Sequence, residues 1–266
     1  MTHLEATDRH NKIRIVFLSA NKFGLKTLKK CREIYPNADY HVFTLSSSSK
    51  TIMYDGIDTD LFKLNCDKIH YVENINNSIE EVRNIKPDLM IMCGWRQIID
   101  KELYTIPRLG TVGFHPTPLP LGRGPAPIIN SILSGWSRSG VTMFYPDDGI
   151  DSGDIVGIEY FDILEDDYAN DVYEKVINCG TILIERFLSR IINDNAPRKI
   201  QDESKATFFK KPMIRDNEID LSTESPEKIY RKIRALSYPY LGAFIKIGNK
   251  KLIIEKAKLC TKIKNH

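Results

Sequence analysis

The chain has 266 residues, 42% apolar and 27% charged, with a formal net charge of +3. These values suit one large globular domain with an appendage, or two small domains, and exclude a low-complexity chain. So mild a charge argues against a nucleic-acid binder, and no apolar run approaches a membrane span.

Five cysteines, at 31, 66, 93, 179 and 260, are far apart and form no CxxC pair. That pattern speaks against a zinc site or a disulfide framework and for reduced thiols. Residues 1–11 are polar and lack an apolar signal core. A cytoplasmic protein with no membrane partner and no bound metal is the expectation. Lysines gather modestly at 205–211 and 246–264; they read as a solvated face, with anion binding as the alternative.

In chain order, Ile13–Leu18 is a β-branched run that predicts a buried first strand. Apolar spacing from Phe23 to Ile34 predicts a helix, Tyr40–Leu45 a second strand and Ile69–Val72 a third. A helix is expected near 78–84, then a strong buried strand, Leu89–Cys93, ending at Gly94. Alternation of this kind implies a Rossmann-like α/β fold, a mostly parallel sheet with helices on both faces. Ligands then bind beyond the carboxyl ends of the strands, here Ser19–Lys22, Gly94–Gln97 and the segment holding His115. No GxGxxG follows the first strand, so the dinucleotide fingerprint is missing.

Further on, a helix is predicted over 125–133, strands over 141–145 and 155–163, and a long helix over 170–192. Residues 193–211 read as a polar linker. A last helix, 226–236, precedes two strands, 243–247 and 251–256, joined by Gly248-Asn249, a hairpin signal. The expected division is a flexible tail at 1–11, a catalytic domain at 12–200 and a small C-terminal α+β subdomain at 201–266.

The most distinctive stretch is Gly113-Phe-His115-Pro-Thr-Pro-Leu-Pro120-Leu-Gly-Arg123-Gly-Pro-Ala-Pro127, followed by Asp148-Gly-Ile-Asp151-Ser-Gly-Asp154. Its prolines forbid a continuous helix and predict a rigid loop presenting His115. Histidine titrates near neutrality and can donate to a developing oxyanion. Asp151 is its expected partner, to orient the ring, hold it protonated or relay a proton. A structural histidine is the competing reading of the pair taken alone.

His-Pro-Thr-x-Leu-Pro, Arg-Gly-x-x-Pro, Gly140-Val-Thr142 and Asp-x-Gly-Ile-Asp-Ser-Gly-Asp together resemble the folate-dependent formyltransferases, over most of 13–200. Ile214-Arg-Asp-Asn-Glu-Ile-Asp220 and Arg234-Ala-Leu-Ser-Tyr-Pro-Tyr-Leu-Gly-Ala243 continue the likeness into the tRNA and sugar branches. The resemblance implies formyl transfer from N10-formyltetrahydrofolate to an amine, with His115 and Asp151 catalytic. It implies that Gly94, Trp95, Gln97 and Ile98 meet the pterin edge, and that Tyr145 and Asp148 close the other side. Arg123 is expected to steer an anionic substrate or to brace its loop. Tyr238 and Tyr240 are expected to stack on a base or sugar, or to pack the tail; Asn21 and Lys22 are weaker acceptor candidates. Asp154 reads chiefly as a turn residue.

One position departs from the family. Gly113 stands where the family carries an asparagine that donates to the formyl oxygen. A replacement donor could be Gln97, Asn130 or a backbone amide; otherwise the enzyme is slow, or the protein binds folate with little transfer. The short tail and mild charge point to the sugar branch, whose acceptor is the amine of a nucleotide-linked deoxyamino sugar. Formylation of a small amine such as hydroxyornithine, and formyl-folate hydrolysis, are the alternatives. A homodimer follows by analogy with that branch.

Overall fold

The computed structural model describes residues 12–260. Seven strands form one sheet in the order β3-β2-β1-β4-β5-β6-β7. These are β1 Arg14–Leu18, β2 Asp39–Leu45, β3 Lys68–Val72, β4 Leu89–Met92, β5 Thr111–His115, β6 Arg138–Phe144 and β7 Ile155–Asp162. The first five run parallel, and β6 and β7 are antiparallel additions. The chain reverses its direction of travel across the sheet between β1 and β4, which creates a crevice at their carboxyl ends.

Helices cover both faces, as expected. On one side lie α1 (Lys22–Ile34), α4 (Pro127–Leu133) and α5 (Ala169–Ile192); on the other, α2 (Ile79–Ile85) and α3 (Lys101–Tyr104). Ile15, Val16, Phe17 and Leu18 are all 0% exposed, which is why β1 reads as a continuous apolar run rather than an alternating one. Asn21 ends the crossover from β1 by accepting the Gly24 amide at 3.0 Å, capping α1.

Helix α5 packs closely on α1. A Cβ on Gly180 would lie 2.2 Å from Cε2 of Phe23, a side chain only 2% exposed. Gly180→Ala is therefore expected to lower unfolding stability by about 1–2 kcal/mol, overpacking outweighing the better helix propensity. Urea unfolding that shows equal or greater stability would contradict this.

The C-terminal part holds α6 (Pro226–Leu236), capped by Ser225 and started by proline, and the hairpin of β8 (Ala243–Ile247) with β9 (Lys250–Ile254). Gly248, at φ +60°, makes the predicted turn. The rigid loop expected to present His115 is in part a strand. His115 is the last residue of β5, paired with Thr142, and the proline loop begins after it. Among the described residues no helix is long and apolar enough to cross a membrane.

Candidate active site

A cavity of about 630 Å³ opens over the carboxyl ends of β4 and β5. Gly94, Trp95, Gln97 and Ile98 line one wall, and the loop from Pro146 to Asp151 lines the other. The lining includes Gly113, Phe114 and Asp151 and stops short of His115, which is 6% exposed.

His115 is held from two sides. Its Nε2 lies 2.8 Å from the Gly122 carbonyl oxygen. A carbonyl only accepts, so Nε2 carries the proton. Nδ1 faces Oδ2 of Asp151 at 3.5 Å. Two threonines stiffen the loop that supplies Gly122. Thr117 Oγ1 donates to the same carbonyl at 3.3 Å, and Thr142 Oγ1 donates to the Thr117 carbonyl at 2.7 Å. Asp151 adopts φ +49°, a left-handed conformation that costs a non-glycine residue on the order of 1 kcal/mol. Its Oδ2 also accepts the Gly124 amide at 2.9 Å.

Glycine at 113 has a packing reason. Its strand neighbours are Met92 in β4 and Phe144 in β6, and both lean over it. A Cβ there would lie 3.2 Å from Met92 Cε and 3.4 Å from Phe144 Cε1. The two side-chain amides considered as replacement donors are engaged elsewhere. Gln97 Nε2 donates to Thr51 Oγ1 at 2.9 Å and to the Glu73 carbonyl at 2.6 Å, while its Oε1 accepts from Ile75 at 2.9 Å. Asn130 Nδ2 donates to the carbonyls of Pro125, Ala126 and Lys210.

The other expected site residues divide. Gly94, Trp95, Gln97, Ile98 and Asp148 line the cavity; Ile98 is 88% exposed at its mouth. Tyr145 does not line it. Its ring lies under Arg198, 3.6 Å from the guanidinium carbon, in a separate groove of about 300 Å³. Its register explains this: Phe144 ends β6 over Gly113, so the next residue points away. Arg123 is 2% exposed and braces rather than steers, its guanidinium bound to Gln201 and Glu203. Tyr238 is exposed and outside the cavity; Tyr240 is partly buried against Tyr54, ring centroids 6.1 Å apart. Asn21 is 2% exposed and its side-chain amide donates to Asp55 at 2.8 Å, while Lys22 pairs with Glu174.

Sequence reading missed Lys101 and Tyr104. They sit one turn apart on α3 and both bind Asp148, at 2.6 and 2.7 Å, joining the two walls at one end of the cavity. Lys101 and then Tyr104 hold the Asp148 carboxyl below its usual range, and Asp148 pushes the Tyr104 phenol up to about 12. A depressed carboxyl loses this contact as pH falls through its folded value, and a raised phenol loses it as pH rises through its own. The bridge is thus intact across neutral pH. Asp148→Asn should return the Tyr104 phenol toward roughly 10, read by ultraviolet titration against Tyr104→Phe. A phenol still titrating near 12 in the asparagine variant would refute the assignment.

Comparison with known proteins places the chain as a whole. The "Formyl transferase" family profile covers residues 4–188, and "Formyl transferase, C-terminal domain" covers 214–266. Methionyl-tRNA formyltransferase of Fusobacterium nucleatum is 28% identical, over 96% of this chain and 82% of that one. The Wolbachia pipientis enzyme of the same name is 34% identical over 70% of this chain, but the match spans only 60% of that relative's length. Among solved structures, a sugar N-formyltransferase from a Shewanella species superposes with a TM-score of 0.74 at 18% identity, covering 94% of this chain and 99% of its own. The N-formyltransferase from Helicobacter canadensis, in complex with folinic acid and dTDP-3-aminofucose, gives 0.70 at 20%, covering 91% and 86%. With both profiles matched in order along the chain, this protein belongs to the formyl transferase family.

Proposed function

We propose that this protein transfers a formyl group from N10-formyltetrahydrofolate to the amine of a nucleotide-linked deoxyamino sugar. The observation that carries the reading is the His115–Asp151 pair at the edge of the 630 Å³ cavity. That volume falls within the range of small-molecule sites. Trp95, Ile98 and Phe144 offer apolar surface for a fused ring. The Helicobacter canadensis complex supports the choice of acceptor.

In this reaction the amine nitrogen bonds to the formyl carbon, the bond from that carbon to N10 breaks, and a proton passes from the amine to N10. The protein's part is orientation and proton handling. Gly122 keeps the proton on Nε2, which leaves Nδ1 free to take one up facing Asp151. A proton gained at Nδ1 would be held by the carboxylate, and the resulting positive charge beside the cavity would favour a developing oxyanion. That charge substitutes for the side-chain amide that Gly113 lacks. Action in the cytoplasm accords with five free cysteines. Pairing of two copies belongs to the same reading and is supported by the hairpin's exposed Ile247, Leu252 and Ile253.

The crowding over Gly113 and the engagement of Gln97 and Asn130 favour a second reading, a folate binder with little transfer. One assay separates the two. The protein is mixed with N10-formyltetrahydrofolate and, in parallel, with dTDP- and UDP-linked amino sugars, hydroxyornithine or no amine, and tetrahydrofolate release is followed. Release that depends on a nucleotide-linked amino sugar supports the first. Folate binding without release in any arm supports the second.

A further inference from the structure

The segment that reads as a linker is built into the site. We propose that Gln201 is a positioning residue for Asp151, itself oriented by Arg123; this rests on His115 and Asp151 being the catalytic pair. Gln201 is 5% exposed and uses its whole side-chain amide. Nε2 donates to the carbonyls of Asp151 and Gly153, each at 2.8 Å. Oε1 accepts from Arg123 Nε at 3.2 Å and Nη2 at 2.8 Å. A guanidinium has only donors, so Oε1 must face Arg123 and the two amide protons must face the acidic loop. Glu203 takes two further guanidinium donors, one from Nη1 and one from Nη2.

These contacts close a ring. The residue after Arg123 is Gly124, whose amide holds the Asp151 carboxylate at 2.9 Å. Asp151 is thus gripped at both ends, its carbonyl by Gln201 and its carboxylate by the neighbour of the arginine that orients Gln201. The grip offsets the left-handed backbone at φ +49° and fixes the carboxylate opposite Nδ1. The same segment steadies the histidine. Thr207 Oγ1 accepts the Gly122 amide at 2.8 Å, and the Gly122 carbonyl holds Nε2. Arg123 and Phe209 complete the join, the Phe209 amide donating to the Arg123 carbonyl at 2.8 Å.

Two variants test the role. Gln201→Leu removes every contact. Gln201→Glu keeps the acceptor for Arg123 but sets carboxylate oxygen against two carbonyls. Formyl transfer from N10-formyltetrahydrofolate to dTDP-3-aminofucose, or to whichever nucleotide-linked amino sugar the wild type accepts, is measured alongside amide hydrogen exchange. Both variants should lose about tenfold in kcat with the KM for the formyl donor within twofold, the split expected of a misplaced catalytic group. Gly124 should exchange about tenfold faster while the β1 amides of Ile15–Leu18 stay protected. Wild-type kcat and Gly124 protection in Gln201→Glu would overturn the proposal, because Gln201 would then serve only Arg123. If Gln201→Leu loosens β1 as well, Gln201→Glu decides. If the wild type transfers to no amine, the parent reading fails, and Gly124 exchange still tests the grip on Asp151.

Discussion

His115→Ala should lower formyl transfer by about 10³-fold, within the range that a positioned acid–base group contributes. The loss should fall on kcat, because His115 is 6% exposed and lies outside the cavity lining. Trp95 lies in that lining, so quenching of its fluorescence by folinic acid should change little in the variant. Asp151→Asn should cost less, on the order of 10²-fold. Asparagine can still accept the Gly124 amide, but it carries no charge to hold a proton on Nδ1. Near-normal rates in both variants would remove the pair from the chemistry.

Gly113→Asn should impair the protein rather than improve it. Adding the asparagine expected from the family resemblance would seem to restore a missing donor. Yet its Cβ would press on Met92 at 3.2 Å and Phe144 at 3.4 Å, and the amide beyond it would enter the cavity. Overpacking of this sort costs about 1–3 kcal/mol of folding stability, and the amide in the cavity should weaken folate binding. Met92→Ala in the same chain should recover much of the loss, since Met92 approaches nearest. A single Gly113→Asn variant that transfers faster with unchanged folate affinity would show that the donor was simply absent.

The parallel sheet was legible because β1 and β4 are buried on both faces and carry uninterrupted apolar runs. β5 escaped detection as a strand. It has only five residues, two of them Gly113 and His115, and the prolines after it dominate any local reading. The pairing of His115 with Asp151 was only a candidate from residue type until family likeness supported it, since 36 positions of chain, a helix and a strand separate them. Lys101 and Tyr104 were hidden because a four-residue helix carries too little periodicity to assign its faces. Arg123 shows the opposite problem. An arginine among glycines and prolines looks free, and only the fold shows that Gln201 and Glu203, some 80 residues on, bury it. Local patterns report burial well; they do not report which distant polar residue satisfies a buried charge.

The segment from Gln201 to Phe209 lies between the two stretches that match family profiles, 4–188 and 214–266. Its contacts give the chain a seam for recombination. A crossover just before Gln201 would bring a foreign set of partners to Arg123 and Gly122 along with any new tail. A crossover after Phe209 would exchange the tail and leave the native partners in place. Grafting tails from relatives should therefore preserve chemistry only when the joint falls downstream of Phe209, whatever acceptor the new tail brings.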